Sequence, residues 1–92
     1  MVLGMDEIIN AICLHIAARK DVKPTDVTVE LLWDEETGYS AEVWVHERSQ
    51  YLVESNIIEA ILRYLHSEHG IRAYREDVVL ELDEEITAHV RV

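Results

Sequence analysis

Apolar residues recur at helical spacing in two separate stretches of the chain. In each stretch they stand at positions i, i+1, i+4 and i+8, which lie on one face of an α-helix. Asp6 and Ser55 stand close before these positions, where each could cap a helix N-terminus. The pattern predicts two helices, the first spanning Asp6–Lys20. Their apolar faces consist of Met5, Ile8, Ile9, Ile12 and Ile16 in the first helix and Ile57, Ile58, Ile61 and Leu65 in the second.

An alternation of apolar and polar residues follows each helix and predicts a β-hairpin. In the first half, Asp26–Trp33 and Ala41–Val45 alternate on either side of a turn at Asp34–Ser40. In the second half, residues 78–82 and 88–92 alternate in the same way around a shorter turn. These four segments predict an antiparallel sheet whose apolar face is covered by the two helices.

The residues between the two halves allow two interpretations. The stretch that ends at His46, followed by Ser49–Val53, indicates a further hairpin with its turn at Glu47 and Arg48. The alternative is a second helix that begins earlier in the chain. The β-branched and aromatic residues before Ser55 favour the strand. The order of elements is then αβββαββ rather than αββαββ.

The two halves share enough positions to predict an internal αββ duplication. The apolar residues of the second helix stand 49 residues after those of the first, and an Asp-Glu-Glu run follows the first strand of each hairpin. The predicted repeat units are residues 6–45 and 55–92 of a single α+β domain, 1–92. Its two layers are two helices packed on one face of a four- or five-stranded antiparallel sheet.

Two stretches of the sequence resemble a known family. Asp6–Ile12 and Trp33–Val45 are similar to the corresponding parts of short uncharacterised proteins from Bacillales, the YxcD-like domain of unknown function. The resemblance extends over nearly the whole chain. It implies a bacterial cytosolic protein. Because the family has no assigned activity, the resemblance implies no cofactor and no catalytic residue.

The chain is strongly acidic, with a formal net charge of −11 from 8 Lys and Arg against 19 Asp and Glu. That charge repels phosphate backbones and anionic headgroups, so we expect neither nucleic acid nor membranes as partners. The sequence has no signal-peptide pattern and no long apolar run, and the lone Cys13 cannot form an internal disulfide. We therefore expect a soluble cytoplasmic protein. The small core of a 92-residue chain favours self-association.

The sheet face turned away from the helices carries apolar residues where polar ones are usual. A register that pairs Val43 with Leu52 places Trp44 opposite Tyr51. Exposed aromatic pairs of this kind are usually covered, most often by a second copy of the chain. We therefore expect a non-catalytic interaction module that forms a homodimer through this face. The candidate interface residues are Leu32, Trp44, Tyr51 and Val53, with Glu30, Glu42, His46 and Arg48 beside them.

The same residues could instead form a ligand site. Glu30 and His46 supply an acid and a base near Trp44 and Tyr51. These groups suit a small-molecule-binding protein or a minor enzyme if they converge on a cleft. The sequence therefore leaves open whether the protein is an enzyme.

Metal and cofactor motifs are weak or missing. His66 and His69 stand at i, i+3 in the second helix, but no third ligand has a recognisable spacing. The acidic runs Asp34–Glu36 and Asp83–Glu85 lack the alternation of a calcium loop. The three glycines are isolated, which argues against a phosphate-binding loop. We expect no metal, no cofactor and no catalytic residue.

Overall fold

A computed structural model describes residues 1–92 and shows two helices and six strands, an α+β architecture. Short 3₁₀ turns at Pro24–Asp26 and Arg75–Asp77 lead into the second and fifth strands. Neither helix combines the length and apolar character needed to span a membrane. In chain order the elements are β1 (Val2–Leu3), α1 (Met5–Lys20), β2 (Val27–Asp34), β3 (Gly38–Val45), β4 (Arg48–Val53), α2 (Glu54–His69), β5 (Val78–Leu82) and β6 (Ile86–Val90).

The two helices follow the predicted apolar pattern. Each has 16 residues. The main apolar positions of both helices are at most 1% exposed, because these side chains project onto the sheet layer. The predicted core is therefore confirmed at Ile8, Ile12, Ile16, Ile57, Ile61 and Leu65.

Both predicted helix caps are wrong. α1 is preceded by Gly4, whose carbonyl accepts the first helical hydrogen bonds, and Asp6 lies within the first turn. At the start of α2, the Asn56 side chain accepts a hydrogen bond of 3.2 Å from the Val53 N–H. Ser55 cannot be the cap because β4 continues directly into α2 and leaves no residue for a loop.

The strands form two separate three-stranded antiparallel sheets, not the predicted single sheet of four or five strands. Sheet I has the order β2-β3-β4, and sheet II has the order β1-β6-β5. In sheet II, Val2 pairs with His89 and Leu3 pairs with Ala88. β1 was not predicted because two residues are too few to show an alternation.

The helices form one layer and the sheets form the other. α1 packs against α2, β2 and β6, while α2 packs against β3 and β4. The shortest dimension of the Cα trace is 19 Å, which fits a helix layer on a strand layer. Ala11 and Ala60 are buried beside the groove between the helices, where small side chains allow close approach. The opposite faces of both sheets have no helix on them.

β4 is a strand, as the favoured interpretation of this segment predicted. Its turn with β3 is His46–Glu47 and not Glu47–Arg48, because Val45 pairs with Arg48. His46 has a φ of 56°, the positive value that glycine usually supplies at the first central position of such turns. Moving the turn by one residue shifts the register by two, so Tyr51, Leu52 and Val53 keep their predicted faces, whereas His46 and Arg48 do not.

The equivalence between the halves extends through the helices but not residue by residue through the hairpins. Leu80 pairs with Ala88, whereas Val29, its predicted counterpart, pairs with Val43. The predicted match would instead place Leu80 opposite Val90. The shorter second turn accounts for this difference of two residues. The duplication therefore stays a prediction.

Candidate functional site

The outward face of sheet I combines aromatic, aliphatic and acidic side chains. The registers of β2, β3 and β4 arrange these side chains in three rungs that cross the strands. We call this surface the sheet I outer face. Its rungs are Thr28–Trp44–Ser49, Glu30–Glu42–Tyr51 and Leu32–Ser40–Val53.

The predicted pairing of Trp44 with Tyr51 is wrong, although both residues belong to this face. Trp44 lies opposite Ser49, and Tyr51 lies opposite Glu42. The two aromatic residues are diagonal neighbours, a spacing of about 7–8 Å that long side chains can still bridge. Strand alternation therefore predicted correctly that Trp44 and Tyr51 share a face. The position of the β3–β4 turn determines which residues lie opposite them.

Two carboxylates oppose each other in the middle rung. Glu30 on β2 is the direct cross-strand neighbour of Glu42 on β3. Like charges in this position are destabilising, and neither carboxylate belongs to an ion pair. The centre of the sheet I outer face is therefore negative and unneutralised.

The pKa of Tyr51 reflects this negative charge. The pKa of its hydroxyl is raised, mainly by the negative charge of Glu42 and, to a smaller extent, by that of Glu30. A nearby negative charge favours the neutral phenol over the phenolate. Tyr51 is thus a neutral phenol within an acidic rung.

Apolar side chains flank the acidic rung on both sides. Tyr51 is 65% exposed and Val53 is 59% exposed, while Leu32 and Trp44 are half-buried. The structure thus brings together five of the predicted site residues, including Glu30. His46 lies apart in the β3–β4 turn. An exposed surface of mixed aromatic and aliphatic character is typical of a protein-binding site.

The other side of the β3–β4 hairpin holds the largest cavity of the protein, an open groove of ≈ 980 Å³. Arg48 belongs to this side because it pairs with Val45 and shares its face with Leu52, so the predicted position beside Trp44 is wrong. We call this cavity the hairpin groove. The residues relevant to its chemistry are Lys20, Val22, Val43, Val45, His46 and Arg48.

Sheet II presents a different outward surface. Its polar groups are paired within the chain: His89 lies 3.1 Å from Glu81, and Arg91 lies 3.2 Å from Asp77. Cross-strand ion pairs of this kind are the expected arrangement on a solvated sheet face. Glu81 is thus within hydrogen-bond distance of His89, and Asp77 neutralises Arg91.

The remaining sequence candidates are dispersed. No group of three or more His, Cys, Asp or Glu side chains is placed to hold a metal ion. The ring of His69 contacts Tyr64 edge to face, with 5.2 Å between the ring centres. The Cys13 thiol donates to the Val27 carbonyl at 3.6 Å, and burial raises its pKa, which makes it a poor nucleophile.

Sequence reasoning missed His15, which is buried between the helices. Its Nδ1 atom has no hydrogen-bond partner in the protein. Burial lowers the pKa of its imidazole, and the charges of Arg63 and Arg19 lower it further while Glu59 opposes them. The available signal was spacing, because His15 follows the buried Ala11 by four residues and thus lies on the same helix face.

Comparison with known proteins identifies a family and a similar bacterial protein. The family model described as "Protein of unknown function (DUF2653)" matches residues 1–85. The chain belongs to the DUF2653 family. It is also similar to "Uncharacterized protein YxcD" of Bacillus subtilis (strain 168), with 31% identity over 84 residues that cover 90% of this chain and 82% of the relative.

The predicted resemblance to YxcD-like proteins is therefore confirmed. No solved structure matches this DUF2653 protein. Neither the family description nor the name of the relative states an activity. The functional argument for this DUF2653 protein consequently depends on its own surfaces.

Proposed function

We propose that this DUF2653 protein is a non-catalytic interaction module that forms a homodimer through the sheet I outer face. The observation that carries the proposal is the exposed aromatic and aliphatic surface around Trp44, Tyr51 and Val53, on the side of the sheet that no helix covers. Burying such a surface against a second copy removes apolar area from water and enlarges a small core.

The acidic rung restricts how two copies can pack. A twofold axis through Glu30 and Glu42 would bring four carboxylates together in a desolvated centre, which is costly. An axis through the Trp44 rung separates the two acidic rungs by about 13 Å, because each lies two residues, or roughly 6.7 Å, from the axis. That separation exceeds the Debye length of about 8 Å at physiological salt. An axis through the Leu32–Ser40–Val53 rung gives the same separation, and we favour the Trp44 rung because tryptophan is the largest apolar side chain on this face.

A ligand site around Trp44 and Tyr51 is the second candidate from the sequence. Neither residue lines the hairpin groove, the groove between the helices or the cavity beside β1 and β6. Ligand sites are usually concave, whereas an exposed face rimmed by polar groups is typical of a protein interface. The shape of this surface thus favours the interaction module. A cytoplasmic location, supported by the single free Cys13, is part of the same proposal.

Sedimentation equilibrium of the wild type and of Trp44→Glu tests the proposal. The wild type should be dimeric, and the substitution should weaken the dimer by about 2 kcal/mol or more, which is roughly 30-fold in Kd. Val79→Glu is the matched control because Val79 is 54% exposed on the outward face of sheet II. It should leave the dimer unchanged. Circular dichroism should show that both variants fold.

The dependence of binding affinity on salt concentration distinguishes a homodimer from a complex with a basic partner. Two acidic copies repel each other, so salt should strengthen a homodimer, whereas it would weaken binding to a basic partner. A wild type that stays monomeric at about 100 μM, a concentration well above the Kd of specific dimers, would contradict the homodimer. Equal weakening by Val79→Glu and Trp44→Glu would show that the interface lies elsewhere.

A further inference from the structure

The hairpin groove lies on the opposite side of β3 and β4 from the proposed dimer surface. Its floor is apolar, formed by Val22, Val43 and Val45. Lys20, from the last turn of α1, and Arg48, from the start of β4, line it as well. Its volume of ≈ 980 Å³ lies at the upper end of the range for small-molecule sites.

Lys20 and Arg48 are cations without an ion-pair partner. The two ion pairs of the chain are His89–Glu81 and Arg91–Asp77, so neither groove cation is neutralised within the protein. Arg91 is the only one of the eight Lys and Arg residues that belongs to an ion pair, so what distinguishes Lys20 and Arg48 is that both line the same concavity in a chain with 19 acidic residues. Glu47 also lines the groove, which leaves a net charge of about +1 from these three side chains.

His46 adds an imidazole to the groove at a conformational cost. Its φ of 56° is one that glycine adopts freely, whereas a residue with a Cβ atom is strained there. The turn would therefore form more readily with glycine. Strained residues are concentrated at binding sites, where the side chain offsets the strain by contacting a ligand.

We propose that the hairpin groove binds a small organic carboxylate, with the carboxylate between Lys20 and Arg48 and a short aliphatic chain on Val22, Val43 and Val45. Arginine suits a planar carboxylate because it can donate two parallel hydrogen bonds. The local net charge of about +1 at the groove matches a monoanion, which favours a carboxylate over a phosphate dianion. The imidazole of His46 is then available at the rim as a further hydrogen-bond donor.

Titration with hexanoate, followed by ¹⁵N–¹H NMR, tests this inference. Saturable shifts should concentrate at Val22, Val43 and Val45. Hexan-1-ol, which has the chain without the charge, and acetate, which has the charge without the chain, should bind at least about tenfold more weakly. Hexyl phosphate separates the two anionic headgroups and should also bind more weakly than hexanoate.

Two substitutions connect the shifts to the groove. Arg48→Gln should weaken hexanoate binding about tenfold or more, because it removes a charge-assisted hydrogen bond. Arg72→Gln, an exposed arginine outside the groove, is the control and should have no effect. His46→Gly should raise the thermal midpoint yet weaken hexanoate binding, a combination that a purely structural role for His46 would not produce.

Several results would overturn the inference. These are no saturable shift, shifts away from the groove, hexanol binding as tightly as hexanoate, or Arg48→Gln binding within twofold of the wild type. The test is independent of the dimer, because Trp44 lies on the opposite face of the hairpin. Trp44→Glu should therefore bind hexanoate normally, and loss of the dimer would leave this inference standing.

Discussion

The two helices have equal length and end in the same backbone conformation, but with different residues. Asp21 follows the last residue of α1 and Gly70 follows the last residue of α2 as the C-cap, with φ values of 55° and 64°. Glycine adopts this left-handed conformation without a steric penalty, whereas aspartate does not. The first helix thus retains a local cost that the second avoids.

At two further places the first half of the chain has an unfavourable local arrangement that the second half lacks. His15 in α1 is buried with an unsatisfied Nδ1 atom, whereas Tyr64, at the equivalent position of α2, is half-buried against the ring of His69. On the sheets, Glu30 opposes a second carboxylate, while Glu81 pairs with a histidine. At these two places the second half lacks the unsatisfied or repelling groups of the first half.

This difference indicates which half of the molecule binds other molecules. The second half shows that this chain can avoid strained and repelling groups. Where a protein retains such unfavourable groups, they are concentrated at functional sites. Both proposed surfaces, the sheet I outer face and the hairpin groove, involve β3 and β4. The two proposals thus both concern the first half of the chain together with β4.

Replacing His15 should give the largest change in stability. His15→Leu removes a buried unsatisfied nitrogen, so the free energy of unfolding should rise by about 1–3 kcal/mol at neutral pH. The gain should grow in acid. The folded-state pKa of His15 is lowered, so below about pH 6.5 only the unfolded wild type binds the proton and the wild type loses stability.

Urea unfolding at neutral pH and near pH 5 measures this effect, with His66→Gln as an exposed control on α2. The groups that face His15 are Arg19 on its own helix and Glu59 and Arg63 on α2. An acid-induced loss of stability that is equal in the wild type and in His15→Leu would show that other groups cause it.

Exchanging the helix-terminal residues should change stability by about 1 kcal/mol in opposite directions. Asp21→Gly removes the steric cost of a left-handed side chain and should stabilise the protein, by less than the full cost because glycine is more flexible when unfolded. Gly70→Asp introduces that cost and should destabilise the protein. Thermal unfolding of both variants is the measurement. A loss of stability in Asp21→Gly would mean that its carboxylate has a compensating contact.

The two sheets should respond oppositely to the same charge reversal. Glu42→Lys replaces a repulsion with Glu30 by an attraction and should stabilise sheet I by roughly 0.5 kcal/mol. Glu81→Lys separates His89 from its carboxylate and should destabilise sheet II by a comparable or smaller amount. Both changes are measured by urea unfolding in the Trp44→Glu background, where dimer dissociation does not contribute. Effects of the same sign would contradict the contrast between the sheets.

The smallest expected effect is spectroscopic. Glu42 is the main cause of the raised pKa of Tyr51, so Glu42→Gln should lower that pKa towards its usual value. The carbon next to the Tyr51 hydroxyl can be followed by NMR as the pH rises. An unchanged Tyr51 titration in Glu42→Gln would show that the acidic rung does not act on this hydroxyl.

The helices and the core could be predicted from the sequence because the spacing of apolar residues directly determines which side is buried. Alternation likewise placed Trp44 and Tyr51 on the uncovered face. The position of the β3–β4 turn could not be predicted, because the αL-like φ of His46 gives no signal in a residue that is not glycine. The opposition of Glu30 and Glu42 and the position of Arg48 both depend on registers that turns determine.

β4 passes into α2 without an intervening residue, since Val53 ends the strand and Glu54 begins the helix. No flexible loop therefore separates the strand that carries part of the sheet I outer face from the helix that packs in the core. An inserted segment or a protease would have to break the strand or the helix there, whereas the exposed turn at 83–85 offers a tolerant site. A fluorescent label in that turn would leave both proposed surfaces intact. Amide hydrogen exchange in the first turn of α2 should slow when β4 is bound, because the two elements can only open together.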